Sequence, residues 1–220
     1  MKKLVIFDLD GTLLNTLGDL AASTNYALKK FGYPEHKQDE YRYMVGNGIT
    51  KLIERALPED ARTKDQIMHV RAEFVSYYSA HKTDLTKPYP GIPELLETLK
   101  RKGLVLAVAS NKYQEATREL IWHYFKNGTF EVILGQRETV PTKPDPSIVN
   151  EIMTIVGLEK EAVLYVGDSC VDMQTAINAG VTAVGVSWGF RPCDELKENG
   201  AVHIAVSYTH LRAHETLRHL

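Results

Sequence analysis

Cysteine is almost absent: Cys170 and Cys193 are the two among 220 residues. Two thiols make no disulfide framework, and their scarcity suits a reducing compartment. Long apolar runs are missing as well. The longest, Leu104 to Ala109, falls far short of the roughly 20 residues that span a bilayer. Met1-Lys2-Lys3 and the apolar residues after them open as a signal peptide does, but Asp8 cuts the run off. It is too short for an h-region of about 7–15 residues. No charge of one sign dominates: the net charge is −2 and there is no basic stripe, so a nucleic-acid partner is not expected. Internal repeats and low-complexity segments are also lacking. The expectation is a soluble, cytoplasmic protein, monomeric or homodimeric, with no membrane contact. Its 44% hydrophobic residues suffice for a full core, as one large domain or one domain carrying an insertion.

What is present is organised around Leu4-Val5-Ile6-Phe7-Asp8-Leu9-Asp10-Gly11-Thr12. Leu4 to Phe7 reads as a strand buried on both faces. It stops at Asp8, and a second carboxylate follows two residues later. In extended chain these two point the same way, so Asp8 and Asp10 should converge on one small volume. Gly11 permits a sharp turn or a close approach to a ligand. Two carboxylates at the carboxyl end of a buried strand stand where open α/β sheets bind ligands. They repel each other unless a proton or a cation holds them together.

The rest of the chain supplies the frame. Apolar residues at helical spacing mark three helices, from Leu17 to Phe31, Ile49 to Leu57 and Ile67 to Tyr78. No strand-like alternation interrupts Asn15 to His81, so this stretch reads as an inserted helical subdomain. Pro88-Tyr89-Pro90-Gly91 would be the return hinge. From there strands and helices alternate. Strands are expected at Leu104 to Ala109, Phe130 to Leu134, Ala162 to Val166 and Thr182 to Val186, with a short one at Val202 to Ala205. Between them lie helices at Ile92 to Leu99, at Glu115 to Phe125, from Asp145-Pro146 to Gly157, and up to Ala179-Gly180. The fold class is therefore α/β, a doubly wound parallel sheet with right-handed crossovers and an all-helical cap. The boundaries expected are 1–14 and 88–206 for the core and 15–87 for the cap.

A parallel sheet brings its carboxyl ends to one edge. There Ser110-Asn111-Lys112, Lys143 ahead of Pro144, and Gly167-Asp168-Ser169 with Asp172 can share a crevice with Asp8 and Asp10. So much negative charge calls for a hard cation, and oxygen ligands with open positions suit Mg²⁺.

These residues resemble, in order, the four motifs of the haloacid dehalogenase superfamily. Asp8-Leu9-Asp10-Gly11-Thr12 matches the first at every defined position. Ser110 matches the second and Lys143 the third, and Gly167-Asp168-Ser169 with Asp172 matches the fourth. The resemblance spans about residues 3–190 and implies a phosphoryl-transfer enzyme with a helical cap inserted after the first motif. It implies Asp8 as nucleophile, forming an aspartyl-phosphate, and Asp10 as general acid and then base. It also implies Mg²⁺ held by Asp8, Asp168 and the backbone carbonyl of Asp10, with Asp172 supporting the metal from behind. Lys143 would neutralise the transferring group and Ser110 would hydrogen-bond its oxygens. An aspartate at position 10 goes with phosphatases and phosphomutases, so dehalogenation is the wrong expectation for this chain.

Specificity is expected from the cap. Val45-Gly46-Asn47-Gly48, running into the helix with Glu54-Arg55-Ala56-Leu57, resembles the corresponding stretch of phosphoglycolate phosphatases. Gly46, Asn47 and Gly48 would let backbone N–H groups approach a substrate carboxylate, and Asn111 would join them in binding substrate. The partner expected is a small phosphorylated metabolite, 2-phosphoglycolate first. Pyrophosphatase, nucleotidase, sugar-phosphate phosphatase or β-phosphoglucomutase activities of the same superfamily are the alternatives. A phospho-accepting signalling module is remote, because the third strand ends in Leu134-Gly135-Gln136, without an aspartate. Trp188-Gly189-Phe190-Arg191 reads as loop packing, Cys170 as a small buried thiol, and His69, His81 and His123 as lacking ligand spacing. Residues 207–220, with His210 and His214, do not resemble the superfamily's usual ending and read as a non-native tail.

Overall fold

Leu4, Val5, Ile6 and Phe7 form strand β1, with all four side chains buried. The computed structural model describes residues 2–207. The tail from 208 onward, with His210 and His214, lies outside the described residues. The further strands are β2 (Leu14–Asn15), β3 (Lys87–Pro88), β4 (Val105–Tyr113), β5 (Val132–Gln136), β6 (Val163–Gly167), β7 (Thr182–Val186) and β8 (His203–Ala205). The helices are α1 (Leu17–Lys30), α2 (Ile49–Ala56), α3 (Lys64–His81), α4 (Ile92–Arg101), α5 (Gln114–Tyr124), α6 (Ser147–Val156), α7 (Cys170–Ala179) and α8 (Cys193–Glu198). Six strands pair in parallel in the order β5-β4-β1-β6-β7-β8. This is the doubly wound parallel sheet expected from strand–helix alternation. Among the described residues no helix is long and apolar enough to cross a membrane.

Residues two apart on a strand share a face, and this sheet is covered on both. Val5 and Phe7 pack with Leu106, Val108, Leu164 and Val166 under Leu95, Leu96 and Leu99 of α4 and Leu120 of α5. Leu4 and Ile6 face the other way, with Ala107, Val163 and Tyr165, against Val149 and Ile152 of α6 and Met173 of α7. Each fully buried aliphatic or aromatic side chain contributes roughly 1.5–3 kcal/mol of transfer free energy. A third apolar cluster holds the helical stretch together, with Leu20, Leu28, Tyr41, Leu52, Ile53, Val70, Phe74 and Tyr78 at its centre. It reaches the rest of the chain through Ala116 of α5 and through Phe190.

The two chain crossings between these parts run side by side. β2 and β3 pair antiparallel, Leu14 with Pro88 and Asn15 with Lys87. Just beyond, the buried Asp19 carboxylate accepts from Leu85 N, Thr86 N and Thr86 Oγ1 at 2.9, 2.9 and 2.6 Å. This ribbon, a 3-10 turn at Gln38–Tyr43 and helix α8 were not expected from sequence. Each is too short to show a period.

Register sets the working edge. Phe7 lies opposite Val108 on one side and Val166 on the other, so Asp8 emerges level with Ala109 and Gly167. The strand expected at Leu104 to Ala109 in fact continues to Tyr113, with an irregularity in its pairing with β5 after Ala109. Ser110, Asn111 and Lys112 are polar yet buried. Their hydrogen bonds, described below, are what permit it. Helix α6 starts one residue later than expected. Pro146 sits at its cap position, while the Asp145 carboxylate accepts from Ser147 N at 2.9 Å. Cys170 is half-buried instead of enclosed.

Candidate active site

The first-strand turn is shaped by what surrounds Asp168. Gly11 has φ +87°, and a Cβ there would stand 2.2 Å from Asp168 Oδ2. A Cβ on Gly189 would stand 2.1 Å from Asp168 Cβ. Only glycine fits at these two positions, because backbone from two loops closes directly over one carboxylate. Asp168 is fixed by Thr12 Oγ1, donating at 3.2 Å, and by Phe190 N–H, donating at 2.7 Å. Thr12 in turn offers its carbonyl to Trp188 Nε1 at 3.0 Å. The 188–191 loop therefore does more than pack: it orients a site carboxylate and lines the crevice.

Asp8, Asp168 and Asp172 are all buried, with ligand-capable oxygens within 4.8 Å of one another. One ammonium stands among them. Lys143 Nζ donates to Asp8 Oδ1 at 2.9 Å, Asp172 Oδ1 at 2.7 Å, Tyr165 OH at 2.9 Å and the Ala109 carbonyl at 3.0 Å. Burial alone would lower Lys143, but Asp172 and Asp8 outweigh it and hold the lysine firmly protonated. Burial, with Asp172 adding to it and Lys143 opposing, pushes Asp8 up to about 7. Asp168 is raised well above the carboxylate range, by burial first and then by Asp172 and Asp8. Asp172 has both oxygens engaged, one on Lys143 and the other accepting from Ser169 N at 3.1 Å and Ser169 Oγ at 2.7 Å. It thereby caps α7.

Three carboxylates against one ammonium leave a deficit of positive charge in a buried cluster. An all-oxygen donor set of this kind fits a hard divalent cation. Among the described residues this is the cluster of acidic groups able to hold one.

Asp10 sits beside this cluster and faces different partners. Thr16 Oγ1 donates to its Oδ1 at 2.7 Å, and Lys112 Nζ stands 3.2 Å from its Oδ2. Lys112 is itself buried and donates to Tyr78 OH, on α3, at 2.9 Å. Burial would lower this lysine, but Asp10 and the Tyr78 phenol hold it protonated above its ordinary value. Lys112 and Tyr165 were not singled out from sequence. Their positions could have been suspected: a lysine directly after Ser110-Asn111, and a tyrosine inside an apolar strand.

The remaining expected residues divide. Ser110 lines the crevice and its Oγ accepts from Lys112 N at 3.2 Å. Asn111 also lines it but is engaged on both sides. It donates to the Gly46 carbonyl at 2.9 Å and the Lys143 carbonyl at 3.1 Å, and accepts from Lys143 N at 2.9 Å. It ties the Lys143 loop to the loop before α2. Gly46 and Gly48, at φ +119° and +81°, face the crevice. Asn47 does not line it; its Oδ1 accepts from Arg55 Nη2 at 2.8 Å. Arg42, from the unexpected 3-10 turn, and Arg191 complete the lining.

Comparison with known proteins agrees with this geometry. Residues 5–186 match the family described as haloacid dehalogenase-like hydrolase. The chain is 36% identical over 194 residues to the phosphoglycolate phosphatase of Mannheimia succiniciproducens, covering 86% of this chain and 87% of that one. It is 34% identical over 188 residues to the phosphoglycolate phosphatase of Aquifex aeolicus, with 86% of each chain covered. A crystal structure of a predicted phosphoglycolate phosphatase from Haemophilus somnus superposes with a TM-score of 0.89 at 30% identity, over 96% of both chains.

Proposed function

The chain belongs to the haloacid dehalogenase-like hydrolase family and is a phosphatase of that family, and from this premise we propose that it hydrolyses 2-phosphoglycolate in a Mg²⁺-dependent reaction through an aspartyl-phosphate. The observation that carries the mechanism is the buried set Asp8, Asp168 and Asp172, two of which, Asp8 and Asp172, pair with Lys143. The substrate assignment rests on the named relatives and on the loop Gly46-Asn47-Gly48 bordering the crevice.

In the first half-reaction a carboxylate oxygen of Asp8 attacks phosphorus and forms the acyl-phosphate bond, while the bond from phosphorus to the glycolate oxygen breaks. Asp10 gives its proton to that leaving oxygen. In the second half Asp10 takes a proton from water, the water oxygen bonds to phosphorus, and the P–O bond to Asp8 breaks. Asp8 is regenerated and inorganic phosphate leaves. Lys143 neutralises the transferring group and Ser110 hydrogen-bonds its oxygens. Mg²⁺, when held by Asp8, Asp168 and the carbonyl of Asp10, supplies charge that offsets repulsion between a carboxylate nucleophile and a phosphate dianion. Asp172, tied by Lys143 and Ser169, supports this set from behind. The helical stretch 15–87 serves as the cap, and the β2–β3 ribbon with the Asp19 clasp is where it joins the core. The reaction suits the cytoplasm, where a small phosphorylated metabolite and a chain with free thiols both belong.

Phosphate release should be measured with Mg²⁺ across 2-phosphoglycolate, pyrophosphate, a nucleoside monophosphate, a hexose phosphate and an aryl phosphate. The expected result is a kcat/KM for phosphoglycolate at least about tenfold above the next substrate, since placing one charged group correctly commonly supplies that much. A flat profile would keep the phosphatase and remove the substrate.

The metal has its own test, in stability. A carboxyl raised to about 7 in the folded chain keeps a proton that the unfolded chain has already released. The native state therefore loses stability as pH rises from about 4 through about 7, and the cost is complete above that. A dication removes the cost by taking the proton's place. Saturating Mg²⁺ is expected to raise the melting temperature by about 5–10 °C near pH 8. The gain should be less than half as large near pH 5.5. Melts in EDTA and in Mg²⁺ at both pH values decide it, and an equal or larger gain at the acid pH would contradict the proposed ligand set.

A further inference from the structure

Apart from the buried Lys143, three cations line the crevice itself: Arg42, Lys112 and Arg191. Two of them have their partners. Lys112 is taken up by Asp10 and Tyr78. Arg42 is partly exposed, with its Nε on Asp39 at 3.3 Å and its Nη1 on the Gly189 carbonyl at 3.4 Å. Arg191 is different. Its side chain is only 9% exposed, yet its Nη1 is sealed from solvent without a hydrogen-bond partner.

The contacts the guanidinium does make are loose. Nη2 reaches the carbonyls of Tyr43 and Val45 at 3.4 and 3.3 Å. Nε stands 3.6 Å from Glu195 Oε1, which also accepts from Cys170 N. The guanidinium carbon lies 4.8 Å from the centre of the Tyr43 ring. This cation–π contact helps hold the guanidinium in place, while its hydrogen-bonding capacity stays underused. A buried donor without a partner is rare enough to need a reason. Arginine's planar fork is shaped to hold a carboxylate through two parallel N–H bonds.

We infer that Arg191, reaching into the crevice from the loop after β7, is the residue that reads the substrate's carboxylate, the group at the opposite end from the phosphoryl. The inference rests on the phosphoglycolate assignment and gives the recognition of the carboxylate a side chain instead of the Gly46-Asn47-Gly48 backbone. It also divides the substrate between two sets of residues. Lys143 and Ser110 take the phosphoryl end, and Arg191 takes the carboxylate while touching the Val45 carbonyl just before the Gly46 loop. A substrate with an anion at the right distance would thus engage the core loop and the cap loop together.

The test compares 2-phosphoglycolate with ethyl phosphate, which puts a methyl group where the carboxylate stands. In the wild-type enzyme the ratio of the two kcat/KM values measures recognition of the carboxylate. In Arg191→Gln that ratio is expected to fall by roughly 10²–10³-fold, mainly through a raised KM for phosphoglycolate. Arg191→Lys keeps the charge and the stem but not the fork, and should recover only part of the ratio. An unchanged ratio in Arg191→Gln, beside a clear wild-type preference, would overturn the inference and leave the substrate assignment standing. Equal losses on both substrates would also overturn it, marking Arg191 as a purely structural link. A wild-type enzyme that does not distinguish the two substrates would remove both the substrate assignment and the role of Arg191.

Discussion

Asp8→Asn is expected to lower kcat by on the order of 10⁴-fold or more while leaving the fold intact. An amide of the same shape cannot form the acyl-phosphate, so the chemical step loses its nucleophile with little change in packing. What the substitution removes from the structure is one ion pair, at 2.9 Å to Lys143. Lys143 still keeps Asp172, the Tyr165 hydroxyl and the Ala109 carbonyl. What it relieves is larger than in an ordinary surface pair, because the carboxyl is one that burial and Asp172 already drive up to about 7. Near pH 8 and without metal, the variant should therefore melt at or above the wild-type temperature. Added Mg²⁺ should then raise its melting temperature less than it raises that of the wild type. Single-turnover phosphate release and melts with and without Mg²⁺ measure both halves. Activity within tenfold of wild type in folded protein would remove Asp8 as nucleophile and the aspartyl-phosphate with it.

The residues on which that argument stands were legible in the sequence because they punctuate apolar runs. Asp8 ends Leu4 to Phe7 and Asp168 follows the strand that ends at Gly167, so the parallel sheet carries both to one edge. What stayed hidden are groups whose meaning depends on residues far away in sequence. Lys112 reads as the polar end of a strand, and only Asp10, 102 positions earlier, and Tyr78 on α3 make it a buried cation. Tyr165 is one more aromatic in an apolar strand until Lys143 lies against its hydroxyl. Arg42 sits on a turn of six residues, too short for any period to reveal. Arg191 gave the weakest signal of all. Nothing local separates an arginine in a loop from a solvated one, and the loop was read as packing. Periodicity reports the burial of apolar surface. A buried polar group breaks the pattern, and its compensation is long-range. The same reason explains β4 running on through Ser110-Asn111-Lys112 where the apolar run had stopped.

Lys143→Met should be the most damaging single change to stability among the site residues. The methionine fills much the same volume, so the effect isolates the ammonium. Four donor contacts vanish at once, to Asp8, Asp172, Tyr165 and Ala109. Asp8, Asp168 and Asp172 are left buried together with no cation among them. Removing one partner of a buried ion pair typically costs about 3–5 kcal/mol, because the remaining charge stays desolvated. For a chain of this size that corresponds to a fall of roughly 6–20 °C in melting temperature. The contrast with Asp8→Asn is the informative part: both break the same 2.9 Å pair, but one removes a surplus charge and the other the charge that balances it. Lowering the pH should rescue Lys143→Met, since protonating Asp8 and Asp168 relieves the repulsion that the lysine had been offsetting. Mg²⁺ should rescue it as well, by supplying the missing positive charge. Activity should nevertheless stay about 10²–10³-fold below wild type with Mg²⁺ present, because the transferring phosphoryl group has lost its fixed ammonium. Melts across pH with and without Mg²⁺, beside rates on phosphoglycolate, separate the two effects. A melting temperature indifferent to the substitution at neutral pH would mean that these carboxylates are not balanced by Lys143, and the charge argument for the metal would fall with it.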